Sequence, residues 1–238
     1  MKIILSTLLF LLCITGVAQE LTGQELLDKA IQVHDPFGNW ESFNERINVR
    51  MTTPDKSIRN SFIHINLPYQ FFQVESIRDS ISTVYVVDKD QAVMIETNLT
   101  TNVKKRFEEG EKADLALMMK NYYTYLYGLP MKLKDQGTNI DSKVDRKTFK
   151  GKEYLVLKAT YDQNVGSDVW FFYFDPATFK MEIYQFFKTD ESGKINLNSG
   201  EYILLSDNHV VNDINMPKTR KWYYNKDDQY LGTDVITK

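Results

Sequence analysis

From Phe43 the chain alternates in polarity. Phe43, Ile47, Val49 and Met51 fall on one face and Asn44, Arg46, Asn48 and Arg50 on the other, the period-two pattern of a half-buried strand. Pro54-Asp55-Lys56 turns it. Ile58 to Leu67, Phe71 to Arg78, Thr83 to Val87 and Ala92 to Thr97 continue as strands, punctuated by Leu67-Pro68, Asp79-Ser80 and Asp88-Lys89-Asp90. Tight connections between short strands predict a meander. A second run follows, over Ile140 to Val144, Tyr154 to Tyr161, Val169 to Phe174, Met181 to Lys188, Glu201 to His209, Lys218 to Tyr224 and Tyr230 to Thr237. Two stretches carry the helical period instead. Leu26, Leu27, Ala30, Ile31 and His34 recur behind Thr22-Gly23-Gln24-Glu25, which has the spacing of a capping box, so a first helix is predicted from Gly23 to His34. Leu115, Met118, Met119, Tyr122 and Leu126 predict a second from Glu111 to Tyr127, stopped by Gly128 and Pro130. The charged run Lys104 to Lys112 before it reads as a loop. These elements predict a mainly β (α+β) fold: a curved antiparallel sheet or unclosed barrel of about 11–12 strands with two helices on its concave face.

The densest apolar stretch is Val169 to Phe187, VWFFYFDPATFKMEIYQFF. Its two arms are rich in β-forming aromatics and meet at Asp175-Pro176, which presets a turn, so it reads as a hairpin. Trp170 to Phe174 is apolar on both faces, so one face must be covered and the other covered or filled. Alternation leaves open whether residues 170, 172 and 174 or residues 169, 171 and 173 point inward. The methionines and tyrosines of the second helix either fill gaps under the curved sheet or line a pocket that adapts to what enters it. Trp170, Phe172, Phe174, Tyr184 and Phe186, with Met118, Met119 and Tyr122, are therefore the candidate walls of an apolar site. The alternative is that they close a packed core.

The N-terminus changes the picture of where this happens. Lys2 precedes an apolar run from Ile3 to Val17, and Gly16-Val17-Ala18 places small residues where a signal peptidase reads. Residues 1–18 are expected to be a signal peptide cleaved after Ala18, leaving residues 19–238 as one β domain in the periplasm. The run is shorter than the about 20 apolar residues of a membrane span, so no transmembrane segment is expected. Cys13, the only cysteine, lies inside it behind Leu11-Leu12 rather than a small residue. Cleavage would leave no cysteine, and hence no disulfide or thiolate chemistry. The net charge of -3 becomes -4 once Lys2 is removed with the leader, and a weakly acidic, exported chain points away from nucleic acid. Lys218 to Lys221 with Trp222-Tyr223-Tyr224 is basic and aromatic, and is expected on an edge strand.

Catalytic and metal signatures are missing from the sequence. Gly151-Lys152 and Gly193-Lys194 lack the upstream glycine of a phosphate loop, and no G-x-S-x-G, H-E-x-x-H or cysteine pair occurs. Asp88 and Asp90 lack the glycine and later glutamate of a calcium loop. Asn98-Leu99-Thr100 matches a glycosylation sequon by chance. His34, His64 and His209 fall on different elements without ligand spacing, and His34 reads as a helix-terminal histidine facing the last carbonyls. No cofactor and no metal is expected, and the chain is expected to be a monomer.

The layout resembles the LolA/LolB-like family of bacterial envelope proteins. The resemblance rests on the helix after the leader, the strand meander, the inserted helix, and a second meander whose Phe174-Asp175-Pro176-Ala177-Thr178 turn is similar to their Asp-Pro hairpin. Gly200-Glu201-Tyr202-Ile203-Leu204-Leu205 and Met216-Pro217-Lys218-Thr219-Arg220-Lys221-Trp222-Tyr223-Tyr224 resemble more closely an uncharacterised secreted bacterial family known as a domain of unknown function. The resemblance implies an unclosed barrel that binds a lipid, a lipoprotein acyl chain or another apolar ligand, without catalysis. It departs at one point: Arg46 and Arg50 lie on the polar face of their strand, so neither matches the inner-wall arginine with which the lipoprotein carriers hold their lid. Two other readings stand beside it: an envelope protein-interaction or structural module using a sheet edge or the Trp222 patch, and a hydrolase with carboxylates assembled in space.

Overall fold

The computed structural model describes residues 21–237; the expected signal peptide lies outside them. In chain order the elements are α1 (Gly23–His34), β1 (Asn44–Thr53), β2 (Lys56–Asn66), β3 (Phe71–Arg78), β4 (Ile81–Asp88), β5 (Gln91–Asn98), β6 (Lys104–Phe107), α2 (Glu111–Gly128), β7 (Thr138–Phe149), β8 (Lys152–Tyr161), β9 (Val169–Phe174), β10 (Met181–Phe187), β11 (Glu201–Val211), β12 (Ile214–Tyr224) and β13 (Tyr230–Ile236). Short 3-10 turns occupy Asn39–Ser42 and Met131–Lys134. Among the described residues all thirteen strands join one antiparallel sheet, in the order β6-β5-β4-β3-β2-β1-β13-β12-β11-β10-β9-β8-β7. The last strand sits beside the first, with Val49 opposite Ile236 and Met51 opposite Asp234, and this pairing fuses the two meanders.

The sheet is not closed, and its free edges, β6 and β7, are consecutive strands. The segment between them, α2 and the 3-10 turn, must therefore cross the open side. It does so in contact with both halves. α2 packs on β3, β4 and β5, while its Tyr125 meets Tyr161 of β8 and Trp170 of β9 edge-on. A helix is only about 10–12 Å across, so strands this far apart in the sheet order can touch one helix only if the sheet curls around it.

Two expectations fail on the same physical point, that charge along a strand does not fix its place in a sheet. Lys104 to Lys112 was expected as loop, but Lys104–Phe107 is a strand, with Lys104 opposite Thr97 and Phe107 opposite Met94. Lysines suit a free edge, where they discourage further pairing. Lys218 to Lys221 was expected at an edge, but β12 is an inner strand between β11 and β13. Lys218 and Lys221 are exposed on it, while Arg220 and Trp222 are buried.

The interior divides into two clusters. Under α1, Leu26, Leu27 and Ala30 pack with Leu157, Phe172, Phe174, Met181, Tyr184 and Ile203. Under α2, Tyr123 and Tyr127 pack with Trp40, Phe43, Ile47, Ile63, Phe72 and Val74. α1 is fastened at both ends. Thr22 and Glu25 form the capping box, and Gly23 is so close to the sheet that a Cβ there would lie 1.9 Å from the Asp141 carbonyl oxygen. His34 does not face the helix carbonyls. It is buried between strands, its Nδ1–H donating to the Asn215 carbonyl at 2.7 Å and its Nε2 accepting from the Met181 N–H at 3.1 Å. Acceptance at Nε2 needs the neutral ring, and burial pushes its pKa down to about 4, with the Asn215 carbonyl opposing.

The outer face of the second meander is also apolar, with Tyr154, Val156, Tyr173 and Ile183 packed under Phe149, Phe171 and Leu204. Lysines lie over it: Lys147 is 4.6 Å from the Phe171 ring centre, Lys150 5.0 Å from that of Tyr202 and Lys152 5.2 Å from that of Tyr154. Their alkyl stems cover aromatic surface while the ammonium groups stay in water. This settles the parity of β9: residues 170, 172 and 174 face the helices, and Phe171 and Tyr173 face outward.

Candidate functional site

Between α2, the Met131–Lys134 turn and the inner wall of the sheet lies a cavity of about 1160 Å³. That exceeds the roughly 300–1,000 Å³ of ordinary ligand pockets. Its floor comes from the aromatic hairpin. Trp170 and Phe186 are cross-strand partners on β9 and β10, stacked with ring centres 4.8 Å apart. Tyr125 stands edge-on to Trp170 at 5.2 Å, its hydroxyl hydrogen-bonded to that of Tyr161. Trp222 of β12 adds a second aromatic plane, stacked on Tyr122 at 6.5 Å and tethered by its Nε1–H donating to Asp234 Oδ2 at 3.1 Å. Leu126, Leu231 and Met51 complete the apolar lining.

α2 supplies the roof. Met118 and Tyr122 line the cavity with 52% and 40% of their surface exposed. Burial of the Tyr122 hydroxyl, reinforced by Asp234, pushes the phenol well above its ordinary pKa. Tyr125 is raised in the same way, first by burial and then by Tyr161. Both phenols are neutral donors at any physiological pH.

Of the candidate wall residues, Trp170, Phe186, Met118 and Tyr122 meet around this cavity. Phe172, Phe174 and Tyr184 face the same way but lie deeper, fully buried beneath α1 in the packed cluster. Met119 points to the other cluster, under α2. Tyr125, Tyr161, Trp222, Leu231 and Met51 also line the cavity, although the sequence pattern did not single them out for it. Trp222 alternates with Lys221 and Tyr223, and that alternation was the available signal.

The cavity mouth is polar. Lys132 pairs with Asp135, and Asp168 and Glu201 also line the cavity. Burial raises both carboxyls, with Lys188 opposing. Neither is held by a hydrogen bond among the described residues. Among the described residues no group of three His, Cys, Asp or Glu side chains is placed to hold a metal ion. No helix among them is long and apolar enough to cross a membrane. The arrangement can bury apolar surface against aromatic planes and offer hydroxyl and carboxyl groups at its rim.

Among solved structures, the chain is similar to a DUF1329 family protein from Desulfovibrio piger ATCC 29098. The TM-score is 0.51 at 7% identity, over 90% of this chain and 91% of that one. At such identity the likeness concerns the fold alone. No curated protein matches the chain. The model of DUF6503, a family of unknown function, matches residues 2–238, and the chain belongs to that family.

Proposed function

We propose that this protein is a periplasmic, non-enzymatic holder of an apolar or amphiphilic ligand, a lipid or an acyl chain, in the manner of the LolA/LolB-like carriers it resembles. The observation that carries the reading is the cavity between α2 and the aromatic wall. Its volume is about 1160 Å³, and two of its lining side chains, Met118 and Tyr122, keep much of their surface uncovered. Apolar area left facing water forgoes about 25 cal/mol per Å². A chain lying between Trp170, Phe186, Trp222 and the underside of α2 recovers that term. The Gly16-Val17-Ala18 leader supports the compartment.

The test has two arms. Protein purified from its native envelope should yield a stoichiometric lipid on extraction and mass spectrometry. Delipidated protein should bind a fluorescent fatty acid saturably, at one site per chain. Protein that carries no lipid and shows only non-saturable partitioning of the probe would refute the reading.

A further inference from the structure

On the concave wall beside the cavity, several buried polar atoms lack a hydrogen-bond partner among the described residues. They are Thr53 Oγ1, Arg59 Nε, Arg78 Nη1, Tyr184 Oη, Arg220 Nε and Asp234 Oδ1. Native folds leave few such atoms, so a group of them calls for a physical reason. Four of these residues, Arg59, Arg78, Arg220 and Asp234, fall in register. Arg78 of β3 is directly opposite Arg59 of β2, Arg59 is opposite Met51 of β1, Met51 is opposite Asp234 of β13, and Asp234 is opposite Arg220 of β12. Arg78, Arg59, Met51, Asp234 and Arg220 form one row across the sheet. By alternation it lies on the inner face, since Ile63 and Ile65 on β2 and Phe72 and Val74 on β3 share its parity and are buried under α2. Met51, in the middle of the row, lines the cavity.

The row holds three guanidinium groups and one carboxylate. Asp234 is attracted to both Arg59 and Arg220, and Trp222 occupies its other oxygen. Arg220 is committed elsewhere: it stacks 4.3 Å over the Tyr127 ring and donates to the Pro217 carbonyl at 2.9 Å. Arg59 and Arg78 make no salt bridge among the described residues. Like charges directly opposite one another on paired strands repel. Water can satisfy single N–H groups, but it does not call for two planar forks side by side. A phosphate does, because it offers several strong acceptor oxygens to bidentate donors.

We propose that Arg59 and Arg78 form an oxyanion site for a phosphate group, next to the Met51 wall of the cavity. This rests on the cavity reading where the phosphate belongs to an amphiphile: the headgroup sits on the two arginines and the chain runs along Trp222 toward Trp170 and Phe186. The acids at the far side, Asp135, Asp168 and Glu201, repel the same headgroup and so orient it.

The experiment compares dodecyl phosphate, dodecanol and dodecyltrimethylammonium as competitors of the fluorescent fatty acid on the full chain. Inorganic phosphate is tested alone by thermal shift. Dodecyl phosphate is expected to bind at least tenfold tighter than the other two. Arg59→Gln/Arg78→Gln should erase that preference while leaving dodecanol within twofold of its wild-type affinity, and Arg59→Lys/Arg78→Lys should keep part of it. Arg46→Gln/Arg50→Gln, on the outward face of β1, should change nothing. If the paired glutamine variant does not fold, Arg78→Gln alone carries the test. Equal binding of dodecyl phosphate and dodecanol overturns the oxyanion site and leaves the cavity reading standing. If no amphiphile binds but inorganic phosphate raises the melting temperature in an Arg78-dependent way, the site is one for free phosphate and the cavity reading falls. Failure of both arms removes both.

Discussion

The two helices lie on the same face of one sheet and are fastened in opposite ways. α1 buries Leu26, Leu27 and Ala30 completely, closes its N-terminus with a capping box and drives His34 into the sheet at its other end. α2 begins at Gly110 without a side-chain cap and leaves Leu117, Met118 and Tyr122 substantially exposed. Its buried apolar residues are the small Ala113 and Ala116 and, later, Tyr123, Leu126 and Tyr127. The difference follows from topology. α1 precedes the sheet and can settle wherever its apolar stripe is best covered. α2 must bridge the two free edges, so its position is set by reach, and part of its surface faces a cavity. One helix is a plug and the other is a roof.

If that contrast is right, substitutions in α1 should cost stability and substitutions on the cavity side of α2 should cost binding. The largest effect is expected at Leu27, where Leu27→Ala should lower unfolding free energy in urea by about 2–5 kcal/mol. A loss near that size for Met118→Ala would erase the distinction.

His34 should make α1 sensitive to acid. Its pKa is about 4 in the fold against about 6.5 in an unfolded chain. The folded state therefore binds fewer protons between those values, and its stability falls as pH drops. The stabilising contribution is fully present above pH 6.5 and is lost progressively down to pH 4, by about 3 kcal/mol in total. His34→Gln keeps a donor and an acceptor but does not titrate. Urea titrations of both proteins across this window should show a steeper loss for the wild type, and parallel curves would show that the ring is not the titrating group.

The capping box should matter less. Thr22→Ala should cost about 1 kcal/mol, and a null result would mean that packing alone holds the start of α1. The smallest stability change is expected on α2. Met118→Ala should shift unfolding by less than about 0.5 kcal/mol while weakening the fatty-acid probe severalfold, since its side chain lines the cavity. Unchanged probe affinity would move the ligand away from the roof.

Much of this architecture could be read from local patterns. The limits of α1, its capping box and the alternation of β1 are short-range features, and the structure reproduces them. So did the overall class, an unclosed antiparallel sheet with two helices. What escaped depends on register between distant segments. Arg59 and Arg78 are equidistant from the Leu67-Pro68-Tyr69-Gln70 turn, which hints at their pairing, but the row through Met51, Asp234 and Arg220 exists only because β13 joins β1. Tyr125 and Trp170 are similarly brought together by curvature of the sheet, which no local pattern encodes. His34 looked like a capping residue because its partners, Asn215 and Met181, are contributed by β12 and β10.

The three tryptophans offer the most direct test of the cavity. Trp170 and Trp222 line it, whereas Trp40 is buried in the other cluster with Phe43 and Ile47. A brominated fatty acid quenches only indole rings that it touches. Titration with dibromostearate should therefore quench the wild type saturably. Trp40→Phe should retain that quenching, and Trp170→Phe/Trp222→Phe, which emits from Trp40 alone, should lose it. Equal quenching of the protein that keeps only Trp40, or no saturable quenching of any of the three, would contradict a ligand held between α2 and the aromatic wall.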